Sequence, residues 1–235
     1  MEQKPNKGIK KTAGLKVMAV WLIALLAAAS MLLVLESDLL WMIQEKNLFL
    51  CSRIFFWEKM VTSGGMLIWV STYLTQLFYY PWLGVAVLST WWLLLMWLIK
   101  CTFRLSDQWA VVTLIPVALL MSAIVDTGYW LYMLKQSGHV FVPTVGTTAV
   151  VAALLGFRRL GDWETGKQGV KKALLVVYIV VVCVAGYVLA GVYGLAATLL
   201  MGIWSWRLWL GRRDALLCGF VALLAAVAVP LLMYR

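Results

Sequence analysis

Charge is the scarce commodity in this sequence, and its gaps are informative. Charged residues make up 13% of the 235, the acidic ones number 10, and His139 is the only histidine. An ordinary soluble domain is about one quarter charged. No ionisable residue falls in the middle of a long apolar run; Lys16 and Arg207 stand near run ends, where long side chains reach the interface. This disfavours the proton relays and ion-coupled pumps that depend on intramembrane Asp, Glu, His or Arg. Cys51, Cys101, Cys183 and Cys218 show neither metal-ligand spacing nor a disulfide framework. No internal repeat, low-complexity tract or soluble-domain pattern is visible.

Apolar residues fill the space left by charge. They make up 64% of the chain, with a mean hydropathy of +0.92. Apolar runs recur, most of them long enough to cross ~30 Å of hydrocarbon as a helix of about 20 residues. The fold class is therefore all-α, a polytopic transmembrane bundle. A basic N-terminus (1–14) precedes one transmembrane domain (15–235). Seven spans are expected: Leu15–Leu35, Trp82–Ile99, Gln108–Val125, His139–Gly156, Ala173–Tyr193, Leu195–Leu210 and Ala215–Met233. The first run exceeds the ~7–15 residues of a signal-peptide core, so it reads as an uncleaved anchor. Gly186, Ala190 and Gly194 recur every four residues, a small-residue face for close helix packing.

The segment "GGMLIWVSTYLTQLFYY" (Gly64–Tyr80) decides the orientation of everything after it. With a cytoplasmic N-terminus and no crossing there, only Lys46, Arg53, Lys59, Lys135 and Arg235 of the 20 basic residues lie outside. A crossing would put most of them outside, against the positive-inside rule. Residues 36–81 thus form one long outer segment, interfacial or re-entrant, bent at Pro81. Trp41, Trp57, Trp109, Trp130 and Trp163 lie near the expected interfaces. The net charge of +10 sits in short clusters between apolar runs, which fits topology control and leaves no basic face for nucleic acid. The expected location is a bacterial cytoplasmic (inner) membrane, with membrane lipids as partners.

Polar chemistry then belongs at an interface, and "VLESDLLWMIQEKNLFL" (Val34–Leu50) is the candidate. Ser37/Asp38, Gln44/Glu45, Ser52/Arg53 and Glu58/Lys59 recur about every seven residues, while Leu39, Leu40, Met42, Ile43, Phe49 and Leu50 fall largely elsewhere. Interfacial helical pieces with their apolar side in the headgroup boundary are expected. Glu36 and Asp38 either cap that helix or do chemistry beside it. The second outer loop, "VDTGYWLYMLKQSGH", adds Asp126, Lys135 and His139. Convergence of Asp38, Glu36 and Asp126 would suit Mg²⁺ or Mn²⁺, with Asp38 and Asp126 as the metal ligands. Asp38 or Glu36 could instead act as a catalytic general base toward an acceptor hydroxyl or amide. Arg53, Lys59 and Lys135 are the candidates for binding a lipid phosphate. Asp126 and His139 also read as ordinary span-end residues, and "RRLGDWETGKQGVKK" as a solvated loop without phosphate-loop spacing.

This layout resembles the seven-helix N-terminal module of the GT-C superfamily of membrane glycosyltransferases. The resemblance implies a catalytic acid near the outer end of the first helix, matched by Asp38 or Glu36, and polyprenyl-phosphate-linked sugar donors. Asp126 looks like that family's second-loop acidic residue, although here one carboxylate stands where the family has a pair. The wording of "ESDLLW", "SGGMLIWV" and "LTQLFYYPWLG" is similar to an uncharacterised Bacteroidota family of multi-spanning proteins, a domain of unknown function. Members of that family are longer, so the end at "LLMYR" would fit an N-terminal fragment or a truncated gene. The alternative to an enzyme is a scaffold or subunit of an envelope-assembly complex, docking partner membrane proteins through its outer loops.

Overall fold

The computed structural model describes residues 7–47, 49–129, 140–163, 168–208 and 212–233. Ten α-helices carry the described chain: α1 (Lys7–Val34), α2 (Ser37–Lys46), α3 (Arg53–Met60), α4 (Gly65–Thr75), α5 (Pro81–Phe103), α6 (Leu114–Tyr129), α7 (Phe141–Asp162), α8 (Gln168–Ala190), α9 (Val192–Leu208) and α10 (Arg212–Met233). Two 3-10 turns, Gln76–Tyr79 and Asp107–Thr113, lead into α5 and α6 respectively. No strand occurs among the described residues.

Five helical stretches are long and apolar enough to cross a membrane: Lys16–Val34, Pro81–Phe103, Asp107–Asp126, Phe141–Asp162 and Gly169–Ala190. Val192–Ser205 and Cys218–Leu232 are shorter apolar helices. The outer walls of these helices stay apolar, with Ile23, Leu26, Val177, Val181, Ile203 and Leu223 all more than half exposed. In water that surface would be a large uncompensated cost; in hydrocarbon it is the expected exterior.

α1 and α5 run antiparallel. Toward one end, Val17, Met18 and Trp21 line a groove with Trp97, Lys100 and Arg104. Toward the other, Leu26, Ala29 and Leu33 line it with Trp82, Val85 and Ala86. The chain therefore leaves α1 and enters α5 at the same end, so Gly64–Tyr80 makes no net crossing. An 11-residue helix and a four-residue 3-10 turn, about 24 Å together, fall short of ~30 Å of hydrocarbon. Pro81 opens α5 at its first position, where a missing N–H is harmless.

Residues 35–80 instead build a platform at this end. α2 packs on α1, the Gln76–Tyr79 turn and α5, while α4 lies against α7 and α8. Leu40 and Ile43 of α2 have no exposed surface and Leu39 only 9%. This corrects the expectation that the apolar side of this segment faces the headgroups: α2 turns it onto the bundle, against the cluster of Leu32, Phe78, Leu88 and Ile124. α3 has no buried residue and presents Ile54 and Trp57 outward, as does Val61 at its C-cap, so it keeps the interfacial pattern that α2 does not.

α7 ties two halves together. Its start, Phe141, belongs to the α1–α5–α6 cluster and stacks near Phe78 at 5.7 Å. Its later residues Val150, Leu154 and Phe157 join Leu175, Ile179, Met201 and Cys218 of α8, α9 and α10. Ion pairing of Arg104 with Asp162 and ring contact of Phe103 with Trp204 bring the ends of α5, α7 and α9 together at the basic end.

The small-residue pattern is realised differently from expectation. α8 stops at Ala190 because Gly191 adopts the left-handed conformation (φ 59°). Gly194 thus lies on α9, and faces Gly186 across the hairpin, where a Cβ on Gly186 would sit 3.0 Å from the Gly194 Cα. Close packing survives, but between two helices joined by a turn.

Candidate functional site

Glu36 occupies the N-cap position of α2, and its carbonyl accepts the first helical bond, from the Leu40 N–H at 3.1 Å. Its side chain makes no capping hydrogen bond. Asp38 sits exposed in the first turn, where a negative charge complements the helix N-terminus. Neither carboxylate forms an ion pair among the described residues.

The far end of α2 is anchored. Asn47, 4% exposed, donates from Nδ2 to the Ile43 carbonyl at 2.8 Å. Its own carbonyl accepts from Gln76 Nε2. The helix is thereby clamped to the turn that leads into α5, which fixes where Glu36 and Asp38 stand.

The platform half of the α1–α5 groove, about 350 Å³, has Leu25, Ala29, Leu33, Trp82, Val85 and Ser89 among its walls. Leu33 precedes Glu36 by less than one helical turn. The other half, about 740 Å³, runs on toward Lys100 and Arg104, and both halves share Leu22, Thr90 and Leu93. The roomiest part of the groove is thus at the end remote from the acid pair.

The remaining candidates are dispersed. Asp126 is exposed near the end of α6, one helical turn before Tyr129. Ile124, two residues earlier, packs in the same apolar cluster as Leu39, Leu40 and Ile43. No hydrogen bond or ion pair joins Asp38 and Asp126. Among the described residues no three His, Cys, Asp or Glu side chains come together as a metal site. Two carboxylates would leave Mg²⁺ or Mn²⁺ dependent on waters and substrate phosphates for its other ligands. Arg53 and Lys59 stand on α3, which packs on α4; Lys59 Nζ lies 5.2 Å from the centre of the Phe55 ring. Lys135, His139 and Trp130 lie outside the described residues.

Sequence reasoning treated the basic end only as a set of topology charges and missed its organisation. Lys100 Nζ meets Asp107 Oδ1 at 2.6 Å. Asp162 Oδ2 takes Arg104 at 2.7 Å and Arg158 at 3.7 Å. Arg158 also donates to the Thr102 carbonyl, and Lys100 Nζ lies 5.8 Å from the Trp21 ring. The Arg158/Asp162 spacing of four was a readable signal; the link to Arg104 was not, because it joins distant segments.

No curated protein and no solved structure matches this chain. One family does, the family of unknown function DUF6057, over residues 13–235. With nearly its whole length matched, this all-helical membrane chain belongs to the DUF6057 family.

Proposed function

We propose that the protein is a seven-span protein of the bacterial cytoplasmic membrane, N-terminus inside, that transfers a sugar from a polyprenyl-phosphate carrier at the outer face. The observation carrying this reading is the apolar groove between α1 and α5, whose platform end reaches Leu33, three residues along the chain from Glu36, a carboxylate that makes no capping bond. Such a groove accepts a hydrocarbon tail and presents its polar head to the two carboxylates. The GT-C-like layout supplies the reaction class; the two shorter apolar helices α9 and α10 supply the sixth and seventh spans.

Asp38, with Glu36 beside it, acts as general base on an acceptor hydroxyl. As the acceptor oxygen bonds the anomeric carbon, its proton passes to the carboxylate. The carbon–oxygen bond to the carrier phosphate breaks, and the phosphate leaves with the electron pair. Where Glu36 is the base instead, a divalent cation would be held by Asp38 and Asp126 together with the substrate phosphate, neutralising the leaving group's charge. Arg53, Lys59 and Lys135 serve the carrier phosphate in this reading.

Asp38→Asn and Glu36→Gln, compared at matched protein level for envelope glycan or growth phenotype, test the proposal. Loss in either supports it, and wild-type behaviour of both refutes it. A second reading, docking of an envelope-assembly partner, is favoured by the outward Ile54 (83% exposed) and Trp57 on α3 and Val61 just after it. It places the phenotype in substitutions of that face and leaves the carboxylate variants silent.

A further inference from the structure

The basic half of the α1–α5 groove is left unused by the proposed chemistry, and its own chemistry is specific. Its ~740 Å³ falls within the ~300–1,000 Å³ of small-ligand pockets. The walls are apolar along Val17, Trp21, Leu94 and Trp97, while Lys100 and Arg104 stand at one end only. Leu22 and Met18 on the same helix are half exposed, so the groove opens sideways into the hydrocarbon region.

Charge at this mouth is unbalanced. Lys16, Lys100, Arg104, Arg158 and Arg159 gather at this end of α1, α5 and α7, against Asp107 and Asp162. One carboxylate, Asp162, serves both Arg104 and Arg158. Arg104 is 70% exposed and its guanidinium carries five N–H donors, so donors remain for an anion. An apolar trough with a cationic mouth at the membrane edge matches a glycerophospholipid with its phosphate at the basic end. A partner's transmembrane helix would cover the walls but leave the mouth unmatched.

We infer that this half-groove binds an anionic glycerophospholipid, an acyl chain lying against Trp21 and Trp97 and the phosphate held by Arg104 and Lys100. The inference stands apart from the transferase reading, since it concerns the opposite end of the groove and none of that reading's charged residues; the two halves share only the walls at Leu22, Thr90 and Leu93.

The test reconstitutes the full chain in vesicles of equimolar phosphatidylglycerol and phosphatidylcholine, extracts it gently, and weighs the retained lipids by native mass spectrometry. Wild type is expected to retain phosphatidylglycerol over phosphatidylcholine, with each cation contributing on the order of fivefold. Lys100→Gln with Arg104→Gln removes the preference. Leu94→Trp fills the groove without touching any charge, and removes the bound lipid. Because Leu94 is partly exposed, that variant keeps the bundle core intact and decides the matter if the double variant misfolds. Inorganic phosphate in excess leaves the adduct in place. Retention of both lipids in the vesicle ratio, survival of the adduct in Leu94→Trp, displacement by phosphate alone, or a dimer with no bound lipid each overturns the inference.

Discussion

Gly64 and Gly191 meet backbone to backbone, both in the left-handed conformation, with φ of 74° and 59°. The Gly64 N–H donates to the Val188 carbonyl at 3.1 Å, pinning the start of α4 to the end of α8. A Cβ on Gly64 would stand 3.0 Å from the Gly191 nitrogen, and one on Gly191 3.3 Å from the Gly64 Cα. Either alanine also takes on about 1–2 kcal/mol of left-handed strain. Gly64→Ala and Gly191→Ala are therefore expected to lower the thermal midpoint of the purified protein, Gly64→Ala the more. An unchanged midpoint in both would mean the platform is not held there.

The acid pair gives the opposite expectation for stability. Glu36 makes no capping bond and neither Glu36 nor Asp38 an ion pair, so Glu36→Gln and Asp38→Asn remove no described contact. Both variants are expected to accumulate and melt as wild type does. A phenotype then reports lost chemistry, whereas a fall in abundance matching the phenotype would return the carboxylates to a structural role.

Orientation is testable with a native thiol. Cys51 is exposed on the platform between α2 and α3, and Trp163 is exposed at the opposite end, after α7. A membrane-impermeant maleimide is expected to label Cys51 in intact cells with an opened outer layer. In a Cys51→Ser background, Trp163→Cys is expected to react only in inverted vesicles. The reverse pattern would invert the topology and move the acid pair to the cytoplasm.

Arg158 is the most buried member of the basic-end network, its side chain 12% exposed. Replacing it by Met strands the carbonyl of Thr102, itself without exposed surface, at an expected cost of about 1–3 kcal/mol. Asp162→Asn breaks its close pair with Arg104, in which the two side chains are 42% and 70% exposed and screened by solvent, while Arg158 keeps its bond to the Thr102 carbonyl; the cost should be within ~1 kcal/mol. Salt should erode the Asp162 effect and leave the Arg158 effect largely in place. Denaturation midpoints at low and high salt separate the two.

Local signals carried a good part of the fold. Hydropathy alone located the five long spans, with boundaries a few residues from those of the helices, because a run of apolar side chains is a property of adjacent residues. The positive-inside count also put Gly64–Tyr80 on one side, in agreement with the antiparallel pairing of α1 and α5. The same kind of reading misjudged α2: Leu39, Leu40 and Ile43 form an apolar face on the sequence, but a face does not say whether lipid or protein covers it. For the candidate site, Glu36 and Asp38 were legible as residues at the end of an apolar run. Their lack of a capping bond depends on side-chain placement and was not.

By itself, then, the sequence determined that this chain is a bundle of apolar helices, that its charges sit at the two ends, and that a long segment follows the first helix. Each follows from composition and order along a few tens of residues. Only the tertiary structure decided that Gly64 rests on Gly191, that Gly194 faces Gly186 across a hairpin, and that one groove between α1 and α5 runs from Leu33 and Trp82 to Lys100 and Arg104. Those relations join segments distant along the chain, and packing fixes them where local preference has no say.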